Sequence, residues 1–131
     1  MDLRRRFRVK PGSRVNLARW DPDETGPFKR KQDAEKHLAG TTDRLDDLQY
    51  LLYAENRRAL LIVLQAMDAG GKDGTIRRVM SSVNPQGCRV TSFKQPSAEE
   101  LEHDFLWRIH KAVPRIGEIG IFNRSHYEDV L

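Results

Sequence analysis

Ala34, Leu38, Thr41, Leu45, Leu48 and Leu52 recur at alternating spacings of four and three, the signature of one helical face. The pattern predicts a long helix from about Lys29 to Asn56. Gly40 interrupts it at a cost of about 1 kcal/mol, which a helix of this length tolerates or turns into a kink. The stripe reads as a packing face, with a dimer contact as its alternative use. The period then changes. Ala59 to Leu64 is an unbroken apolar run, which reads as a strand buried on both faces, as in parallel sheets. Thr75 to Ser82 has a helical pattern, stopped by Asn84-Pro85-Gln86-Gly87, and Arg89 to Phe93 is a short β-rich run. Ser97-x-x-Glu100 is a capping box ahead of the helical face Leu101, Phe105, Ile109 and Ala112, which Pro114 ends. Ile119 to Phe122 is a third apolar strand, and Ser125-x-x-Glu128 opens one more helix.

That alternation of β and α elements predicts a parallel α/β sheet with right-handed crossovers, layered α/β/α. Residues 1–28 hold Pro11, Gly12, Pro22, Gly26 and Pro27, punctuation too dense for a long element, and read as an irregular arm. The expected organisation is therefore an arm over 1–28 and a long helix plus core over 29–131. Three strands make a small sheet, and Leu131 falls one turn into a capped helix. A truncated core is expected.

Composition narrows the class. The chain has 131 residues, 38% hydrophobic and 32% charged, enough for one domain with a real core. Its longest apolar run is far short of the roughly 20 residues that span a bilayer, so no membrane span is expected. The basic start is followed by no apolar signal-peptide core, and a lone Cys88 cannot form an internal disulfide, so the cytoplasm is the expected location. The net charge is +4, and six of the eleven residues from Arg4 to Arg14 are basic. Such an arm attracts polyanions or is simply a solvated tail.

The chemistry concentrates after the first strand, in Ala66-Met67-Asp68-Ala69-Gly70-Gly71-Lys72-Asp73-Gly74-Thr75. The spacing is that of a phosphate loop, G-x-x-x-x-G-K-[ST], with Ala66 at the first glycine and Asp73 at the hydroxyl position. Gly70, Gly71 and Gly74 let backbone N–H groups converge on phosphate oxygens, helped by the positive end of the helix that follows. Lys72 is placed to bind a bridging or transferred phosphate. A carboxylate among phosphates, Asp68, is a candidate Mg²⁺ ligand. The bland alternative is a glycine-rich turn with no ligand. At the end of the third strand Asn123 stands where such proteins carry a metal-orienting Asp, and Arg124 reaches the crevice at the carboxyl ends of the strands, unless it only pairs with Glu128.

The stretches LLIVLQAMDAGGKDGTI, SFKQPS, ELEHDFLWRIH and GEIGIFNRSHYEDVL together resemble the polyphosphate kinase 2 family, over roughly Pro11 to Leu131. The resemblance implies a P-loop kinase-like fold and phosphoryl transfer between inorganic polyphosphate and a nucleoside mono- or diphosphate, with Mg²⁺ or Mn²⁺. It implies catalytic roles for Asp68, Lys72 and Arg124, with Asp68 and Asn123 toward the metal. Phosphate binding is expected from Ala69, Gly70, Gly71, Lys72, Asp73, Gly74 and Thr75. Arg77, Arg78, Lys94 and Arg124 are candidates for a polyphosphate track, although Arg77 and Arg78 read equally as solvated helix charges. Asn123 departs from the Asp of many members, and FNRSHYEDVL resembles the subgroup accepting nucleoside mono- and diphosphates. The family's lid, beyond this segment, is absent from the sequence, so weak turnover is expected of the chain alone. A homo-oligomer is expected.

Two rival functions remain on sequence alone: an ATP-dependent small-molecule kinase, and a basic nucleic-acid-binding module using Arg4 to Arg14, for which no RNA or DNA motif is present. His103 and His110, seven apart, do not match the i, i+4 spacing of a helical zinc site. Ser125 and His126 are neighbours that cannot form a catalytic pair, and Ser125 is better used as a cap. Phe105 and Trp107 are expected in the core, and Trp20 and Phe28 are expected to anchor the arm.

Overall fold

The computed structural model describes residues 2–129. Its contacts divide the chain into two compact units, residues up to Leu38 and residues from Ala39 onward. In the first unit, α1 (Leu3–Phe7) is a five-residue helix in a stretch whose sequence suggests none. Asp2 explains it, because its side chain accepts hydrogen bonds from the N–H groups of Arg4 and Arg5 at 3.1 and 3.3 Å. A 3₁₀ turn follows at Leu17–Arg19, and the remainder to Lys29 is irregular. Arg6 makes a bidentate pair with Glu24 and lies over the Trp20 ring, and Phe28 packs against His37.

The long helix α2 (Lys31–Glu55) runs through Gly40 without a break. Its buried side is shifted from the expected stripe: Thr42 and Gln49 are buried, while Thr41 and Leu48 are exposed. Two polar residues are tolerated inside because each is satisfied or fitted. The Thr42 hydroxyl donates to Ala39 O at 2.8 Å, and Gln49 lies so close to Gly87 that a Cβ there would collide with it.

The sheet is three parallel strands in the order β1 (Leu60–Leu64), β3 (Ile119–Asn123), β2 (Cys88–Ser92). The fold class is therefore parallel α/β, as the alternation of elements implies. The burial of the strands is not as expected. The apolar run of β1 is an edge strand with Leu60, Leu61 and Val63 exposed, whereas β3 is the strand with Ile119 to Phe122 buried. Position decides this: β3 has a neighbour on each side and β1 has one. Between strands lie α3 (Lys72–Val79), α4 (Ala98–Leu101) and α5 (Trp107–Ala112). The Ser97–Glu100 capping box forms as the sequence indicates, but the single helix expected beyond it is two. Asp104 causes the break, accepting from Leu106 N through its side chain and from Trp107 N through its carbonyl, which starts α5 afresh. Phe105 is exposed rather than in the core.

One cluster of the buried core comprises Phe93, Ile109, Ala112 and Phe122, with Leu106 against them and the two phenyl rings edge to face at 4.8 Å. After β3, Ser125 is buried and its Oγ accepts from Tyr127 N, capping a 3₁₀ turn, His126–Asp129, where an α-helix is expected. The Glu128 side chain lies outside the described residues. No helix among the described residues is long and apolar enough to cross a membrane.

Gly120 is the second residue of β3, where a Cβ would meet three Pro114 ring atoms at 2.8 to 3.0 Å. Gly120→Val should lower stability by about 1–3 kcal/mol through overpacking, read as a shift of the urea midpoint.

Candidate functional site

The glycine-rich loop begins where β1 ends. Lys72 Nζ donates to Ala66 O at 2.5 Å and Met67 O at 3.1 Å, so the lysine bridges its own loop. Gly70 N–H donates to Met67 O at 3.0 Å, closing a turn. That turn needs glycine at 70, since a Cβ would stand 2.8 Å from both Ala66 Cβ and Met67 O. Gly70 N–H is therefore spent inside the loop and does not join the expected phosphate cradle. Gly71, at φ 79, is the N-cap of α3 and offers no side-chain cap. The N–H groups of Lys72, Asp73 and Gly74 in the first turn then have no helical acceptor and are available to water or an anion.

The end of β3 faces this loop through register. Leu64, Asn123 and Ser92 are paired across the three strands, so all three strands finish in one row. Arg124, at φ 70, donates its N–H to Leu64 O at 3.1 Å. Its guanidinium reaches Asp68 Oδ1 at 2.5 Å, and Asn123 Nδ2 donates to Asp73 Oδ1 at 2.5 Å. Two side-chain bridges thus tie the loop and the first turn of α3 to the end of the central strand. A non-glycine residue held at positive φ is strained, and such strain collects at functional sites.

These groups line a cavity of about 570 Å³ at the carboxyl end of the sheet. Of the residues singled out in the sequence, Asp68, Ala69, Gly70, Gly71, Lys72, Asp73, Gly74, Lys94, Asn123 and Arg124 line it. Thr75, Arg77 and Arg78 do not. The Thr75 hydroxyl donates to Gly71 O within α3, and Arg77 and Arg78 are exposed. Ser92, Phe93 and Gln95 also line the cavity and escaped the sequence reading. The signal for them was present: β2 is parallel to β1, so its carboxyl end had to emerge beside the loop. Arg108 was missed as well. It is buried beneath the Phe93 ring, and its Nη1 donates to Lys94 O at 2.7 Å, fixing the segment that carries Lys94.

Three cations and two carboxylates, Lys72, Lys94 and Arg124 with Asp68 and Asp73, make the cavity a charged one. Among the described residues no three acidic, histidine or cysteine groups converge. A divalent ion here would take hard oxygens from Asp68 and Asp73 and complete its shell from a ligand's oxygens and water, which suits Mg²⁺ or Mn²⁺. Asn123 commits its amide nitrogen to Asp73, leaving its oxygen as that side chain's metal-binding atom.

Together these features define an open parallel α/β protein with its cleft at the carboxyl edge of the sheet. A profile of the polyphosphate kinase 2 family matches residues 28–131, and the chain belongs to that family. It is 58% identical over 128 residues to an AMP/ADP-polyphosphate phosphotransferase of Meiothermus ruber, covering 97% of this chain and 48% of that protein. It is 55% identical to an ADP-polyphosphate phosphotransferase of Rhodopseudomonas palustris, covering 97% and 44%. The crystal structure of polyphosphate kinase 2 from Arthrobacter aurescens TC1 superposes with a TM-score of 0.83 at 45% identity, covering 95% of this chain and 46% of that one. The chain spans about half the length of these relatives.

The two kinds of loop contact should separate on mutation. The Asp68–Arg124 pair is exposed, 85% and 38% for the two side chains, so Asp68→Asn should change unfolding free energy by no more than about 1 kcal/mol. Gly70→Ala should cost about 1–3 kcal/mol, because its Cβ meets loop atoms that cannot move apart freely. Paired urea titrations measure both.

Proposed function

We propose that this chain carries the phosphate-binding half of an enzyme that transfers a phosphoryl group between inorganic polyphosphate and a nucleoside mono- or diphosphate. The observation that carries the reading is the convergence of Lys72, Arg124 and the unsatisfied N–H groups of α3 on one cavity that Asp68 also lines. The names of the relatives, phosphotransferases between polyphosphate and AMP or ADP, support the choice of substrates.

Anhydride-to-anhydride transfer asks for in-line positioning and neutralisation of charge, and little covalent work from the protein. The first-turn N–H groups and Lys72 serve as the phosphate cradle. In the free protein Lys72 is held by two carbonyls, so an arriving phosphate replaces neutral acceptors with a charged one, a stronger partner for an ammonium group. Arg124 is positioned at the strand end to neutralise charge developing on the transferred group, and exchanging Asp68 for phosphate costs little because that pair is exposed. Asp68 and Asp73 would hold a divalent ion, which when bound screens the phosphate oxygens from one another. Lys94, on the opposite wall, serves the outgoing polyphosphate or the acceptor phosphate.

Lys72→Ala should weaken tripolyphosphate binding at least about tenfold by titration calorimetry, given the roughly 1.5–3 kcal/mol of a charged hydrogen bond. Transfer itself is read with luciferase in a full-length protein containing this segment: polyphosphate, ADP and Mg²⁺, with no other donor, yield ATP, and the substitution removes that signal. ATP formation surviving in a folded Lys72→Ala protein overturns the assignment.

Asp68→Asn should raise the Mg²⁺ concentration needed for half-maximal tripolyphosphate binding several-fold while improving metal-free binding, since it removes an anion from the cavity. An unchanged Mg²⁺ titration would leave Asp68 with only its bridge to Arg124.

A further inference from the structure

The first unit contains a cavity of about 360 Å³ that shares no residue with the glycine-loop cleft. Arg6, Arg8, Lys10, Arg14, Arg19 and Trp20 are on its wall, and no acidic residue is among those that line it. Charge along the chain is partitioned to match. Residues 1–20 hold seven basic residues and one acid, whereas residues 21–131 hold 16 basic and 18 acidic residues. The positive charge of the protein thus resides in its first 20 residues, while the sequence carrying the cleft is slightly negative.

The cavity is built from fixed parts. Arg6 is bound to Glu24 by two hydrogen bonds of 2.8 and 2.6 Å, which hold the Glu24 carboxyl below its ordinary range. Ser13 closes a turn onto Lys10 O through both its N–H and its hydroxyl, and Asn16 caps the turn bearing Arg19. These local bonds pin the backbone from which Arg8, Lys10, Arg14 and Arg19 extend, and all four of those side chains are exposed. Trp20 is the one aromatic residue on the wall, and the Arg6 guanidinium lies over its ring at 5.3 Å. A nucleobase stacks on an open aromatic face, and one face of this ring already carries a cation.

We propose that this cavity is a second anion site that anchors a long polyphosphate chain, separately from the phosphate groups bound at the glycine loop. The choice of polyphosphate rests on the function proposed above. The chemistry itself selects a ligand with closely repeated charges and no aromatic rings. Such a site raises the local concentration of chain around a body that is otherwise net negative.

The test compares ligands of two lengths on the intact chain by calorimetry at low salt. In the triple variant Arg8→Ala, Lys10→Ala, Arg14→Ala, long-chain polyphosphate should bind about tenfold or more weakly, with a shallower salt dependence. Tripolyphosphate, short enough to be held at the glycine loop alone, should bind as before. Arg8→Lys with Arg14→Lys should retain long-chain binding, which separates lost charge from lost structure. Unchanged long-chain affinity in the triple variant overturns the proposal, as does an equal loss for tripolyphosphate. Displacement of long-chain polyphosphate by single-stranded RNA at matched charge also overturns it, in favour of a nucleic-acid site. Failure of tripolyphosphate to bind the unsubstituted protein would count against the glycine-loop reading only, and the long-chain comparison would still decide this one.

Discussion

The organisation of the cleft depends on the register of β3. Hydrogen bonding aligns Leu64, Asn123 and Ser92 in one row, so three loops leave the sheet at the same level and line one cleft. The backbone bond from Arg124 N–H to Leu64 O extends that alignment one residue past the strand, where Arg124 takes a left-handed conformation. From there its guanidinium reaches the glycine loop. A shift of β3 by one residue would turn Ile119 and Ile121 onto the opposite face, and would carry Asn123 and Arg124 away from Asp73 and Asp68. Core packing and site assembly are consequently enforced by the same pairing.

The cleft is closed on itself by interactions that a ligand can replace. Lys72 rests on loop carbonyls, Asp68 on Arg124 and Asp73 on Asn123, so four of the charged groups lining the cavity hold a partner within the protein. An exposed ion pair is worth about 0–1 kcal/mol, less than a phosphate gains from two or three charged donors. Under the proposed function, the arrangement keeps the loop ordered without opposing an incoming phosphate. Arg108 contributes from below by fixing the carbonyl of Lys94, a buried cation whose hydrogen bond organises the far wall.

Local sequence patterns determined much of this protein. The helical period set α2 nearly to its ends, turn residues and apolar runs set three strands, and Ser97 with Glu100 set a capping box. Each is a contest settled within a few residues, by backbone propensity and nearby hydrogen bonds. The glycine loop was legible for the same reason, because its spacing and its strand-to-helix context lie within one short segment. Asn123 and Arg124 joined that loop because parallel strands end at one crevice, and the resemblance to a family then assigned them roles.

What only the tertiary structure decided depends on neighbours distant in the chain. The apolar run of β1 carries no mark that it lies at a sheet edge, and β3 is buried because it is flanked by two strands. Thr42 and Gln49 replaced Thr41 and Leu48 on the inner face of α2, and for Gln49 the bare Gly87 backbone leaves the space that admits it. Asp104 split a continuous helical pattern with one side-chain hydrogen bond. Gly70, a residue suited to binding phosphate through its N–H, spends that donor on Met67. Composition shows that the first 20 residues are basic. That four of their cations surround one cavity, beside a tryptophan already covered by a fifth, follows from turns and a Glu24 partner that no local pattern announces.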